Sequence, residues 1–283
     1  MKRVAKNLLR YLFANSIAQS VAHYLIRILS KLADINLLNF TYKEIGILKY
    51  QSLEASGEIY SIRKILKRYC DQARPIFFDV GANRGNYAVA LRAEFPAAEI
   101  FAFEPNPNTF ALLSANVRST GDHCCCLGLS DTERSQPIYT YDDALDSEHA
   151  SLSKSIMSDI HHAKSIRSIE IKLTTLDNFC NANNVDRINF LKIDAEGCEL
   201  DILRGGQRML KEGRIDIIQY EFNETLIVPR VFMKDFYEIL GGYNFYRLDT
   251  KRLIPLRDYS PIHEIFQFQN ILAISKKMDR EHS

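Results

Sequence analysis

Two short segments hold most of the side chains that could do chemistry. The first, Phe78-Asp-Val-Gly-Ala-Asn-Arg-Gly-Asn-Tyr87, sets a carboxylate directly before a turn of small and polar residues. Gly81 and Gly85 allow a tight turn and close approach of backbone to a ligand. The dinucleotide fingerprint G-x-G-x-x-G fails at two of its three glycines, because the equivalent positions hold Gly81, Asn83 and Asn86. Asp79 argues the same way, since an anion there repels a pyrophosphate and suits a cation. Twenty-five residues later Glu104 opens Glu104-Pro-Asn-Pro107, near the spacing at which an acidic side chain accepts ribose hydroxyls.

A ligand with a ribose, a positive charge and no phosphate satisfies both features. S-Adenosylmethionine, which carries a sulfonium and an ammonium, is the expected cofactor, and its carboxylate would take N–H groups of the loop. A nicotinamide-dependent reductase is the alternative that this loop disfavours. The plainer role for Glu104 is to cap the following helix, which Asn106 or Asn108 could also do.

The segments DVGANRGNY, FEPNP, LKIDAEGCELDILRG and IDIIQYEFNE, in that order, resemble the signature segments of the FkbM-type methyltransferase family. The resemblance runs from about Asn39 to Lys276, and residues 1–38 lie outside it. It implies a class I methyltransferase sheet of seven strands, one of them antiparallel. It also implies methyl transfer from S-adenosylmethionine to a hydroxyl of a sugar, glycan or related natural product. The expected cofactor-binding set is Asp79, Gly81, Asn83, Gly85, Glu104, Pro105, Asn106, Ser130 and Asp194. The other reading is a catalytically silent methyltransferase fold that serves as a binding subunit.

The second segment, Lys192-Ile-Asp-Ala-Glu-Gly-Cys-Glu199, follows the fourth strand and should face the transferred methyl. An alcohol is a poor nucleophile until its proton is removed, so a carboxylate base or a metal is needed. Glu196 is the first choice as base, with Asp194 or Glu221 next. Alternatively, Asp194 bonds the cofactor while Glu196 and Glu199 orient the loop and cap the helix. Magnesium would find hard oxygen ligands here, but no histidine cluster or spacing requires it, and no metal site is expected. His161-His162 is read as two exposed polar residues.

These residues need a frame that brings strand ends together. From about residue 55, short apolar runs alternate with helical segments, the pattern of a doubly wound α/β domain with a parallel sheet. Strands are expected at Pro75–Val80, Glu99–Phe103, His123–Leu127, Ile169–Leu173, Ile188–Ile193, Ile215–Tyr220, Phe245–Leu248 and Ile265–Ile274. Residues 130–167 break the rhythm and read as a lid or binding loop. That loop and the tail from Arg257 to Gln269, with Tyr139, Tyr141 and Tyr259, are expected to shape the acceptor site.

The division expected is a helical extension over 1–54 and a methyltransferase domain over 55–283. Residues 1–33 are basic and then apolar, yet Asn15, Gln19 and His23 interrupt them, so neither a signal peptide nor a membrane span is expected. The periodicity instead gives two amphipathic helices with a break near Ala14-Asn15-Ser16. They pack on the catalytic domain or on a second subunit, or rest on an anionic membrane. A net charge of +1 with both signs mixed through the body of the chain argues against a nucleic-acid partner. Cys124, Cys125 and Cys126 read as thiols of a buried strand, and with no CxxC spacing a cytoplasmic residence is expected.

Overall fold

A computed structural model describes residues 16–118, 121–142 and 150–281. The chain divides into two compact units between Ile45 and Gly46. In the first unit lie α1 (Ser16–Leu32) and α2 (Leu37–Glu44), the latter capped by the Asn36 side chain, which accepts the Asn39 N–H at 3.1 Å. The other expected amphipathic helix, and the break before Ser16, lie outside the described residues. No helix among the described residues is long and apolar enough to cross a membrane.

The second unit is built on a sheet of eight strands in the order β11-β10-β12-β9-β8-β1-β2-β3. The parallel core comprises β1 (Ile76–Val80), β2 (Glu99–Phe103), β3 (His123–Cys125), β8 (Ile188–Ile193) and β9 (Ile215–Phe222). Strand β12 (Gln269–Ser275) lies antiparallel between β9 and β10 (Tyr243–Asp249). The central strands are near-continuous apolar runs because both faces are covered. One core packs Phe78, Leu191 and Ile218 on one face, and the other packs Phe77, Phe190 and Ile217 against Ile62 and Leu66. Those last two belong to a helical run, Glu58–Tyr60, Ser61–Leu66 and Lys67–Tyr69, that the sequence reading passed over.

Three features correct the expectations. The sheet has an eighth strand, β11 (Arg252–Pro255), formed where Thr250-Lys251 turns the chain back and pairs Arg252 with Asp249. Strand β3 stops at Cys125 and Cys126 is exposed, because β3 is the edge of the sheet and lacks a neighbour on one side. Most of 130–167 is not irregular. With its flanks it forms a second sheet, β4 (Gly128–Ser130), β7 (Ile166–Thr175), β5 (Arg134–Tyr141) and β6 (Ala150–Ser151), in that order. Residues 143–149 of that stretch lie outside the described set. Strands β5 and β7 pair antiparallel from Arg134↔Leu173 to Tyr141↔Ile166, over a small core of Ile138, Ile171 and Leu173.

Strand order reverses between β1 and β8: from β1 the chain goes outward to β2 and β3, and from β8 it goes the other way. A crevice opens at the carboxyl ends of strands flanking such a point. The segments that hold Asp79 and Asp194 both leave the sheet there.

Candidate active site

A cavity of about 890 Å³ occupies that crevice and takes lining residues from both sheets and from the segment 48–58. Its floor is the turn after β1. Gly81 has φ +78°, and a Cβ on it would stand 1.7 Å from the Asp194 carbonyl oxygen, so only glycine lets the two strand ends approach. The Gly81 and Ala82 N–H groups donate to the Phe103 carbonyl at 3.0 and 2.9 Å, which ties this turn to the end of β2. Glu104 completes the tie: its carboxylate accepts the Asn83 N–H at 3.2 Å and the Asn106 N–H at 2.9 Å.

The carboxylates of this crevice surround one cation. Lys192, buried on β8, donates to Asp194 Oδ2 at 3.0 Å, lies 3.8 Å from Asp79 Oδ1, and sits 5.0 Å from the centre of the Tyr87 ring. Burial pulls its pKa down, but Asp194, Asp79 and Glu58 outweigh that and hold the ammonium above its ordinary range. Glu58 enters from the helical run, accepting Ser56 Oγ at 2.7 Å and Gln219 Nε2 at 3.5 Å. Burial raises Glu58 to about 7 and Asp79 to about 6, with Lys192 opposing both shifts. Glu104 is likewise raised to about 7 by burial, against its two backbone hydrogen bonds.

Asp79 is fully buried, yet neither of its oxygens has a hydrogen-bond partner. Unpaired buried carboxylate oxygens are costly. Lys192, 3.8 Å away, balances this charge, and because Asp79 lies behind the wall formed by Val80 and Gly81, the carboxylates offered to a ligand's N–H donors and hydroxyls are those of Asp194 and Glu104. The residues therefore fit the ammonium and ribose ends of S-adenosylmethionine.

Across the crevice, Glu196 occupies the turn after β8 in a left-handed conformation, φ 48°, which is uncommon for a residue other than glycine and marks local strain. Ser151 of β6 holds it, donating its hydroxyl to the Glu196 carbonyl at 2.9 Å. The Glu196 side chain meets His161, with Oε2 and Nε2 3.4 Å apart, and the two side chains are only 16% and 13% exposed. Tyr141 fixes the histidine segment by donating to the His161 carbonyl at 3.2 Å. The reading of this His pair as exposed is thus corrected for His161, which lines the cavity, while His162 is exposed. The second sheet is what carries His161 inward.

Glu199 does orient the loop: its carboxylate accepts the Ala195 N–H at 2.9 Å and the Gly197 N–H at 3.1 Å. Burial raises it to about 8. Glu221 lines the cavity at the end of β9 and accepts Asn223 Nδ2 at 2.5 Å. Burial first, then the charges of Asp194, Glu196 and Glu199, push its carboxyl well above the usual range.

Gly81, Asn83, Glu104, Pro105, Asp194, Glu196 and Glu221 line the cavity, whereas Asp79 is fully buried behind the wall that Val80 and Gly81 form. Three other candidates stand behind its wall. A Cβ on Gly85 would meet Leu113 and Val117, so this glycine serves helix packing. Asn106 caps the helix Pro107–Asn116 by accepting the Asn108 N–H at 3.1 Å, the role weighed for Glu104. Ser130 is buried against Asp131 and Arg134, each 3.1 Å from its hydroxyl. In the tail, Gln267 and Phe268 reach the cavity, whereas Tyr259 packs on Tyr237 with ring centres 5.7 Å apart. Among the described residues no group of three or more His, Cys, Asp or Glu side chains is arranged to hold a metal.

The sequence reading gave no role to Lys192, Glu58, Tyr87 or His161. For Lys192 the signal was present: a lysine inside the buried run Ile-Asn-Phe-Leu-Lys-Ile must be paired.

Comparison with known proteins places the chain in a family. Methyltransferase 1 of Beauveria bassiana is 28% identical over 140 residues, which is 45% of this chain and 56% of that protein. The 2-O-methyltransferase NoeI of Sinorhizobium fredii is 24% identical over 157 residues, 53% of this chain and 65% of that one. The hexuronic acid methyltransferase AglP of Haloferax volcanii is 27% identical over 174 residues, 60% and 67% respectively. The matches thus span between about half and two thirds of these relatives. The family model of the methyltransferase FkbM domain covers residues 79–245, from Asp79 of β1 to Phe245 of β10 and more than half of the chain, and the chain belongs to that family.

Proposed function

We propose that this chain is an O-methyltransferase that uses S-adenosylmethionine and methylates a hydroxyl of a sugar, glycan or related natural product. The observation that carries the reading is the crevice at the switch point, where Glu104 after β2 and Asp194 after β8 both line the cavity around the Gly81 turn. Bound there, the cofactor's sulfonium supplies an electrophilic methyl for in-line displacement. Asp194, held by Lys192 with Asp79 buried behind it, would take the ammonium, and Glu104 would accept the ribose hydroxyls.

Glu196 is the base of this reading. Its Oε2 takes the acceptor's hydroxyl proton, and His161 Nε2, 3.4 Å away, shares it. Glu221, whose carboxyl burial and its acidic neighbours push toward the neutral form, serves the acceptor site as a hydrogen-bonding group and not as the base. The names of two relatives, a 2-O-methyltransferase and a hexuronic acid methyltransferase, support a sugar hydroxyl as acceptor. Six free thiols support residence in a reducing compartment such as the cytoplasm. Incubation of the full chain with methyl-labelled cofactor and a panel of neutral sugars, uronic acids and oligosaccharides tests the reading. A labelled methyl ether is the expected product. Tight cofactor binding with no label in any acceptor, and none in extracts of the source cells, would favour the silent binding subunit.

A further inference from the structure

Charge is distributed unevenly along the chain. Residues 1–33 contain six Lys or Arg and no Asp or Glu, while the remaining 250 residues hold 30 basic and all 35 acidic side chains. The same region concentrates exposed apolar surface. Of fifteen large hydrophobic side chains exposed among the described residues, ten lie between Val21 and Phe40. On α1, Val21, Tyr24, Leu25, Ile28, Leu29 and Leu32 fall within one arc of about 140° at the helical spacing. Tyr24, Leu29 and Leu32 are 65, 62 and 80% exposed. Arg27 and Lys31 flank that arc on one side, and the apolar surface continues through Ile35, Leu38 and Phe40.

An apolar face of this extent on a folded unit marks an interaction surface. Helix α1 is too short and too polar on its other face to cross a bilayer, but its form is that of a helix lying in the headgroup plane, apolar arc down and cations at the edge. Self-association on this face would bring Arg27 and Lys31 of one copy against the same pair of another, since a two-fold contact matches a patch with itself. Anionic headgroups neutralise them instead. We propose that α1 and α2 seat the chain on an anionic lipid surface. The proposal is independent of the methyl-transfer reading.

Flotation of the full chain with vesicles tests it, one set of phosphatidylcholine alone and one with roughly a third phosphatidylglycerol. The chain is expected to float with the anionic vesicles and to be released from them by high salt. Arg27→Ser with Lys31→Ser should weaken binding about thirty-fold, the combined effect of two cations near a charged surface. Leu25→Ser with Leu29→Ser should abolish it, and both positions are exposed, so the fold is retained. Failure to float with anionic vesicles would overturn the proposal, as would equal binding to both vesicle types. A dimer in light scattering that Leu25→Ser with Leu29→Ser dissolves, without vesicle binding, would assign the face to a second copy.

Discussion

Replacing Lys192 with Met removes the cation at the centre of the crevice while keeping its length and packing against Tyr87. Loss of one partner from a buried ion pair ordinarily costs about 3–5 kcal/mol. Here protonation sets a lower ceiling, because the orphaned carboxyls can take up a proton instead of staying charged. With Lys192 present Asp79 titrates at about 6, so forcing it neutral at pH 7 costs only ~1.4 kcal/mol more. Glu58, at about 7, is already half protonated and adds roughly 0.4 kcal/mol. Asp194 is 39% exposed and rehydrates, adding at most ~1 kcal/mol. The expected loss at pH 7 is therefore about 2–3 kcal/mol. Its sign with pH follows from the raised carboxyls. Below their folded pKa values they are neutral and need no lysine, so the deficit shrinks to below ~1 kcal/mol near pH 5.5. It grows to ~4 kcal/mol or more at pH 8, where the ceiling rises by about 1.4 kcal/mol per carboxyl. Urea denaturation of both proteins at the three pH values measures this. A deficit under ~0.5 kcal/mol at pH 7, or one that does not change with pH, would show that the Lys192 cluster does not hold these charges.

Affinity for S-adenosylhomocysteine should fall about tenfold between pH 8 and pH 6, as Glu104, raised by burial to about 7, takes up a proton and loses acceptor capacity for the ribose hydroxyls; calorimetry of wild type and Glu104→Gln checks it, the variant showing the weaker affinity with a smaller pH step. Glu196→Gln should keep cofactor affinity within a few-fold while turnover drops roughly 10²–10⁴-fold, and single-turnover kinetics separates the two. Glu221→Gln, which keeps the size of a carboxyl pushed toward its neutral form, should leave turnover within about threefold; a collapse there would move the base to the end of β9. Gly81→Ala should destabilise by more than ~3 kcal/mol in thermal melts, since its Cβ would meet the Asp194 carbonyl at 1.7 Å from a backbone with φ +78°.

What the sequence disclosed depended on how completely each element is buried. Strands β1, β2, β8 and β9 are covered on both faces, so they stand out as apolar runs, and the motifs at their carboxyl ends could be placed from them. Strands β5 and β7 are only partly buried, and their small core of Ile138, Ile171 and Leu173 is too sparse to set a period against the polar residues between. Only the Ile169–Leu173 part of β7 was legible as a strand, so the second sheet as a unit was missed, and with it the inward position of His161. Glu58 was missed for a related reason: it precedes the first recognisable strand, and its closeness to Lys192 depends on a helical run whose apolar residues face the sheet across 130 intervening positions. Asn106 and Ser130 show the opposite error. Both lie next to motif residues in sequence, but their side chains turn to the α-helix cap and to Asp131 and Arg134, away from the cavity.

Calorimetric titration of the full chain with S-adenosylhomocysteine and with NAD, repeated on Asp194→Ala and Glu104→Ala, bears most directly on the crevice as a site for a cationic, phosphate-free nucleoside. The expected result is saturable binding of S-adenosylhomocysteine, weakened at least about tenfold by either substitution, with NAD binding far more weakly or not at all. Binding of NAD as tight as that of S-adenosylhomocysteine, or affinity for the latter unchanged in both variants, would contradict it.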